Sequence, residues 1–368
     1  MSIFDHLRMT DVEALPAPQE LLTELAISGQ QKQFVQKARG EIRDILDGSD
    51  SRHLLIVGPC SIHDIQAARD YAAKLKQLSA TVSDTFCILM RVYFEKPRTA
   101  LGWKGLLYDP WLNGSDDLAT GLRWARQFLL ELAEMGVPVA SEFLEPSTPY
   151  YLGDLVAWSC IGARTVSSQI HRQMASGLPM ATAFKNSTDG TVDSAVNGIL
   201  SASQSHTFMG MNPKGHPSVM RTQGNAYGHL VLRGGETQPN YDPQAISMAL
   251  DTMRKANLAP RLLIDCSHDN SMRKHEQQVT VFQSAINQII EGNRNIRGML
   301  IESHLNEGNQ PLVNDTTKLK YAVSLTDPCL NWDTTERLIL WGHSIIKRER
   351  ETLRENEVAS VLVRRVST

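Results

Sequence analysis

Four residues in this chain could hold a metal ion together. Cys60, His268, Glu302 and Asp327 offer a thiol, an imidazole and two carboxylates. The first three close the apolar runs Leu54-Leu55-Ile56-Val57, Leu262-Leu263-Ile264 and Met299-Leu300-Ile301, and Asp327 follows by a loop long enough to fold back. A sulfur donor mixed with nitrogen and oxygen suits a borderline divalent ion, Mn, Fe, Co or Zn, better than Mg or Ca. A second set is cationic. Arg91, Lys96, Arg98, Arg164, Lys185 and Arg233 stand at or just after further apolar runs, and Glu142 ends another. Arginine's planar fork matches phosphate and carboxylate oxygens, and lysine adds a compact charge. Cations gathered round one mouth repel unless anions meet them. The expected ligands are therefore two small substrates bearing phosphate and carboxylate groups. Each residue alone has a plainer reading: a small buried hydrophobe for Cys60, a satisfied core histidine for His268, a surface ion-pair partner for any one arginine. Recurrence at equivalent points of successive runs favours the site.

The runs imply the frame that must position these groups. Eight of them, ending at Cys60, Arg91, Glu142, Arg164, Lys185, Arg233, His268 and Glu302, alternate with amphipathic stretches. That is the layout of a (β/α)8 TIM barrel, whose parallel strands carry chemistry at their C-terminal ends. The pattern predicts a fourth strand over 160–163 and a seventh over 262–267. Gln30 to Leu46 reads as a helix with Phe34, Ala38, Ile42, Ile45 and Leu46 on one face and Gly48 as its stop. Ser115-Asp116-Asp117 can cap a helix reaching Met135, Asp242 to Asn257 reads as another, and Asp333-Thr334-Thr335-Glu336 has capping-box spacing for the last. Residues 1–28 read as an arm, and 1–50 as an N-terminal arm and helix serving assembly or regulation. Residues 206–222 read as a β-hairpin inserted before the sixth strand. A barrel does not need that hairpin, so regulation, assembly and mere packing all stay open. The whole of 1–368 reads as one elaborated catalytic domain.

Composition narrows the classes. A formal net charge of −3 over 368 residues gives no general affinity for nucleic acid or anionic membrane. No run approaches the roughly 18 apolar residues of a bilayer span. The first residues lack the pattern of a secretory signal. Five cysteines, an odd number placed in strands and motifs, fit reduced thiols in a cytoplasm. No phosphate loop, dinucleotide fingerprint or nucleophile elbow is present.

Several segments together resemble a known family. They are Gly58-Pro59-Cys60-Ser61-Ile62-His63-Asp64, Arg91-Val92-Tyr93-Phe94-Glu95-Lys96-Pro97-Arg98-Thr99, Gly102-Trp103-Lys104-Gly105, Lys185-Asn186-Ser187-Thr188-Asp189-Gly190, Leu232-Arg233-Gly234-Gly235, Asp265-Cys266-Ser267-His268 and Ile301-Glu302-Ser303-His304. They resemble type I 3-deoxy-D-arabino-heptulosonate-7-phosphate (DAHP) synthases. The resemblance implies condensation of phosphoenolpyruvate with erythrose 4-phosphate and water, the entry step of the shikimate pathway. It implies a divalent metal on Cys60, His268, Glu302 and Asp327. It places phosphoenolpyruvate on Arg91, Lys96, Arg164, Lys185 and Arg233 with Glu142 nearby, and erythrose 4-phosphate on Lys96 to Thr99, with Arg98 and Thr99 at the phosphate. Cys60, His268 and Lys96 would be catalytic. Lys96 would protonate the developing alkoxide, its pKa lowered by burial among cations.

The resemblance also implies a homodimer or homotetramer and a feedback pocket holding Pro149, Tyr150, Leu178 and Gly210. Phenylalanine-sensitive members carry serine where Gly210 stands, so the implied effector is tyrosine; the plainer reading of Gly210 is a strand bulge. Val166-Ser167 stand where the family has Thr-Glu, Glu236 where lysine is common, and Asp269 where a small residue follows Ser-His. These departures put local geometry or regulation in question. Two other readings remain: the sibling 3-deoxy-D-manno-octulosonate-8-phosphate synthases, whose shorter chains lack the arm and hairpin, and a non-catalytic relative binding phosphorylated metabolites or an aromatic amino acid.

Overall fold

Alternate burial builds the barrel. In β1 (His53–Gly58), Leu54 and Ile56 join one core cluster while Leu55 and Val57 join another. Successive strand side chains point to opposite faces, so one set faces the barrel interior and the other the surrounding helices. The split recurs at Leu89 against Ile88 and Met90 in β2 (Phe86–Arg91), and at Ala183 against Phe184 in β5 (Ala181–Lys185). It recurs again at Val231 in β8 (Gly228–Leu232), Leu263 in β9 (Leu262–Asp265) and Leu300 in β10 (Ile296–Glu302). Both faces are buried, which is why these strands read as unbroken apolar runs. With β3 (Val139–Glu142) and β4 (Trp158–Ile161) they pair in parallel in the closed order β1-β10-β9-β8-β5-β4-β3-β2. The structure, a computed structural model, describes residues 8–9, 11–98 and 100–366, with 354–366 as backbone alone. It is the expected (β/α)8 barrel.

The inner cluster also takes in Ala38, Ile42, Ile45 and Leu46 of α2 (Gly29–Asp47), which packs over the N-terminal end of the barrel. Val35, not Phe34, is buried beside them. Gly48 ends α2 in the left-handed region at φ 83°. The arm holds a short helix, α1 (Pro18–Glu24), that its weak periodicity did not reveal. The buried Arg126 guanidinium pins it by donating to Leu25 O while pairing with Asp154. Helices α3 (Ile65–Thr81), α4 (Leu118–Met135), α5 (Thr148–Leu152), α6 (Gln169–Ser176), α7 (Asp193–Ala202), α8 (Pro243–Lys255), α9 (Gln278–Ile290) and α10 (Trp332–Val366) follow in chain order. Asp117 caps α4 as expected, and Asp242, read as the start of the next helix, caps α8 instead. The last helix starts earlier than its capping-box pattern implies, with Asn331 Oδ1 accepting from Thr334 N. The hairpin is present as β6 (Thr207–Met211) and β7 (Pro217–Arg221), inserted before the sixth barrel strand.

Buried His229 is one of several histidines that should make the fold sensitive to acid. His229 Nε2 accepts from Trp158 Nε1 at 3.0 Å across the interior, and its Nδ1 lies 3.0 Å from Tyr227 O. That arrangement suits only the neutral ring, and burial pushes its pKa down to about 3. The folded state therefore resists a proton that the unfolded chain takes near pH 6.5. The contribution is complete above pH 6.5 and is lost as pH falls toward 3. Urea midpoints should fall between pH 7 and pH 5, and His229→Gln should flatten that slope by up to about 1.4 kcal/mol per pH unit. Equal slopes in the two proteins would remove His229 as a cause.

Candidate active site

The two-residue period that aims Leu89, Ala183, Val231, Leu263 and Leu300 inward aims the next inward positions into the C-terminal mouth. Those positions are Arg91, Lys185, Arg233, Asp265 and Glu302, all buried. Glu142 shares the inner face of β3 with Ala140. The first, fourth and seventh strands stop short of the expected ends, the first at Gly58, two residues before Cys60. Arg164 lies beyond β4 on a loop and is exposed, and His268 lies beyond β9 in a single 3-10 turn. His268 has φ 55°, an uncommon conformation for a non-glycine residue and one that clusters at functional sites.

The four proposed metal donors converge. Ligand atoms of Cys60, Glu302 and Asp327 lie within 4.8 Å of one another, and His268 Nε2 lies 3.7 Å from Glu302 Oε1. The other ring nitrogen of His268 is held 3.0 Å from Asp265 Oδ2 and 2.7 Å from Ser267 Oγ, which turns Nε2 toward the cluster. Glu302 Oε1 is buried and makes no hydrogen bond, although Arg91 Nη2 stands at an ion-pair distance of 2.9 Å. A buried carboxylate oxygen with spare acceptor capacity, beside a thiol, an imidazole and a second carboxylate, fits a borderline divalent cation. Burial and the neighbouring Glu302 push the Cys60 thiol up to about 12.

The cations occupy two settings. Arg91, Lys96, Lys185 and Arg233 are buried, whereas Arg98 and Arg164 are exposed. The buried four do not wait unpaired for substrate. Lys96 Nζ lies 3.1 Å from Asp327 Oδ2 and 2.6 Å from Cys60 Sγ, Lys185 Nζ donates to Asp265 at 2.8 Å, Arg233 pairs with Asp269, and Arg91 with Glu302. Cations left in a low-dielectric mouth would be too costly, so protein carboxylates meet them. Arg91 still has a buried Nη1 without a hydrogen-bond partner. The expected depression of the Lys96 pKa is wrong in direction. Burial does favour the neutral amine, but Cys60, Asp327 and Glu302 outweigh it and raise the pKa. Lys96 sits against Asp327 and Cys60, with Glu302 near, and their pull exceeds the push of Arg91. Thr99 lies outside the described residues.

Asp265, Glu95 and Tyr93 were missed. Asp265 is fully buried and links Lys185 to His268. It is the next inward position after Leu263, but reading the strand on to Ser267 hid that. Glu95 accepts from the backbone N–H groups of Leu144 and Glu145 at 3.3 and 3.0 Å, and burial pushes its pKa up to about 8. It ties the segment carrying Lys96 to the loop after β3. The Arg91 guanidinium lies 3.6 Å from the centroid of the Tyr93 ring, and no sequence signal marks that stack. Of the departures, Asp269 holds both Arg233 and, at 3.0 Å, Arg273. Val166 is buried and its carbonyl accepts from Arg172. Nothing in the structure explains Ser167 or Glu236.

Pro149, Tyr150, Leu178 and Gly210 line one cavity of about 1300 Å³ between the hairpin, α5 and α6, extending to Arg39 of α2 and to Tyr227 just before β8. Gly210 is not a bulge, because β6 and β7 pair in regular register through Gly210 and Ser218. It is a close approach. A β-carbon there would come 2.6 Å from the Tyr150 hydroxyl and 2.5 Å from Met220 Cγ. No helix among the described residues is long and apolar enough to cross a membrane.

Comparisons with known proteins give the family. The model of the DAHP synthetase I family matches residues 24–339. The chain is 47% identical over 335 residues to the tyrosine-sensitive phospho-2-dehydro-3-deoxyheptonate aldolase of Escherichia coli K12, covering 91% of this chain and 94% of that one. It is 44% identical over 339 residues to the tryptophan-sensitive enzyme of the same organism, covering 92% and 97%. The solved phospho-2-dehydro-3-deoxyheptonate aldolase of Francisella tularensis SCHU S4 superposes with a TM-score of 0.90 at 39% identity, covering 92% and 98%. A barrel with this mouth, matched along most of its length by these proteins, belongs to the DAHP synthetase I family.

Proposed function

We propose that this chain condenses phosphoenolpyruvate with erythrose 4-phosphate and water to DAHP and phosphate, using a divalent metal held by Cys60, His268, Glu302 and Asp327. The observation that carries the reading is the abutment of the two sets: Lys96 Nζ lies within hydrogen-bonding distance of both Cys60 and Asp327. Arg91, Lys185 and Arg233, with Arg164 from its loop and Glu142 alongside, bind the anionic groups of phosphoenolpyruvate. Arg98 and Thr99 bind the phosphate of the aldose, and the hollow of about 370 Å³ between Arg98 and Asp327 takes its carbon chain. Holding both reactants in one mouth replaces a chance encounter with a fixed geometry. Carbon 3 of the enol then bonds to the aldehyde carbon, and the Lys96 ammonium gives a proton to the oxygen that becomes alkoxide. Water adds at carbon 2 and gives up both its protons, one to restore Lys96 and one to the departing phosphate, as the bond from carbon 2 to the phosphate oxygen breaks, leaving a ketone and inorganic phosphate. The metal, when bound, supplies Lewis acidity toward the aldehyde oxygen.

Turnover with Mn²⁺ and both substrates, followed by the loss of enol absorbance, tests this reading. No consumption would leave the non-catalytic relative, and preference for arabinose 5-phosphate would assign the sibling chemistry. Asp269 gives a finer expectation. It occupies Arg233 and competes with a substrate anion for the guanidinium. Asp269→Asn should therefore lower the KM for phosphoenolpyruvate with kcat little changed; an unchanged or raised KM would show that the pair only braces the fold.

We infer that tyrosine is the feedback inhibitor, acting in the cavity that Pro149, Tyr150, Leu178 and Gly210 line. Relatives named for tyrosine and for tryptophan sensitivity both align along most of the chain, so overall identity does not choose the effector. Gly210 supports tyrosine, because phenylalanine-sensitive members of the family carry serine at that position. An inhibitor must bind the less active state more tightly. Tyrosine should inhibit more than phenylalanine or tryptophan, and Gly210→Ser should shift the preference toward phenylalanine as Tyr150 and Met220 are displaced. Rates measured with each aromatic amino acid decide it, and stronger inhibition of the unmodified protein by phenylalanine or tryptophan would overturn the assignment. Met209 and Val219 leave an apolar outer face on the hairpin, at 85% and 64% exposure, which supports a homodimer or homotetramer built through this element.

A further inference from the structure

Two hydroxyls lie directly behind the metal donors. Ser61 Oγ is 2.8 Å from Thr326 Oγ1. Ser61 is wholly buried and Thr326 is 8% exposed. Ser61 follows Cys60 and Thr326 precedes Asp327, so this one bond joins the neighbours of two donors that are 267 positions apart in the chain. The two donors differ in support. Cys60 follows the end of a barrel strand. Asp327 sits on an irregular loop, with its side chain 40% exposed. That loop is well built internally. Thr326 N donates to Ser324 Oγ at 3.1 Å, Asn309 Nδ2 donates to Thr326 O at 2.8 Å, and Gln310 N donates to Ser324 O at 2.8 Å. It therefore arrives as a formed unit, and the Ser61–Thr326 bond docks that unit against the end of β1.

We propose that Ser61 and Thr326 are positioning residues for the metal, their hydroxyl pair setting the spacing of Cys60 and Asp327 before the ion binds. The proposal rests on the metal assignment given above. Partners that orient ligating groups commonly contribute 10- to 100-fold in metal affinity, and a single neutral bond belongs at the low end of that range, about tenfold. Leu330 N also ties the loop to Glu302 O at 3.0 Å, so what the hydroxyl pair limits is the local freedom of Thr326 and Asp327, which the ion must otherwise remove on binding.

Isothermal titration with Mn²⁺ tests it, independently of turnover. Ser61→Ala and Thr326→Val should each weaken binding about tenfold. The double variant should be no weaker than either single by more than about twofold, because all three lose the same bond. Thr326→Ser, which keeps the hydroxyl, should stay within about twofold of the unmodified protein. Single variants with unchanged affinity, or a double variant whose loss is the product of the two singles, would overturn the proposal. Circular dichroism and Tm in chelator check the fold of each variant; should Thr326→Val fail to fold, Ser61→Ala and Thr326→Ser decide the question. An unmodified protein that does not bind Mn²⁺ would overturn the metal assignment and this proposal with it, a result distinct from equal binding by protein and variants.

Discussion

Cys60→Ala should abolish turnover while leaving the barrel folded. Cys60 is buried at the junction of the metal donors and Lys96, and its sulfur is the soft ligand that selects a borderline ion. Removing it leaves an imidazole and two carboxylates, and loss of the thiolate donor should weaken the hold on the ion. Several kcal/mol of charge stabilisation depend on the ion, so turnover should fall by about 10³-fold or more. The fold should lose far less, about 1 kcal/mol for one buried atom. Activity, Mn²⁺ affinity and Tm measured together separate the two effects. A variant that turns over with added Mn²⁺ as fast as the unmodified protein would remove Cys60 from the metal site.

Lys96→Met should produce the second large effect, and in two opposite directions. Methionine keeps the length of the side chain and removes the charge. Loss of a positioned proton donor should lower kcat by about 10² to 10⁴-fold. Metal binding should tighten at the same time, because the Lys96 ammonium occupies Cys60 Sγ and Asp327 Oδ2. Asp327 is partly exposed, so the carboxylate left behind can be solvated and the variant should fold. A kcat within tenfold of the unmodified value would show that another group supplies the proton, and weaker Mn²⁺ binding would show that Lys96 supports the donors instead of competing with them.

The barrel was legible in the sequence because a strand buried on both faces needs an unbroken apolar run, and eight such runs stand between amphipathic stretches. Arg91, Glu142, Lys185 and Glu302 were legible for the same reason: a charged residue that interrupts an apolar run at its end stands out. The motif resemblance added roles for them. Strand ends were less legible. The fourth strand was expected over 160–163 and forms over Trp158–Ile161, which leaves Arg164 on a loop. The segment after β9 keeps apolar and small residues although its backbone turns at His268, so Asp265 passed as strand interior.

What only the tertiary structure decided is pairing. Lys96 was read among cations because its neighbours in sequence and the other rim residues are basic. In the folded chain its ammonium meets Cys60 from the loop after β1 and Asp327 from the last loop, and its pKa rises. The same holds for Arg233 with Asp269, for the stack of Arg91 on Tyr93, and for Gly210 beside Tyr150. Periodicity specifies which face of an element a side chain takes, since that follows from backbone geometry alone. It does not specify which distant group meets that side chain. That depends on strand order and loop path, and for a buried charge the identity of its partner sets the direction of the pKa shift.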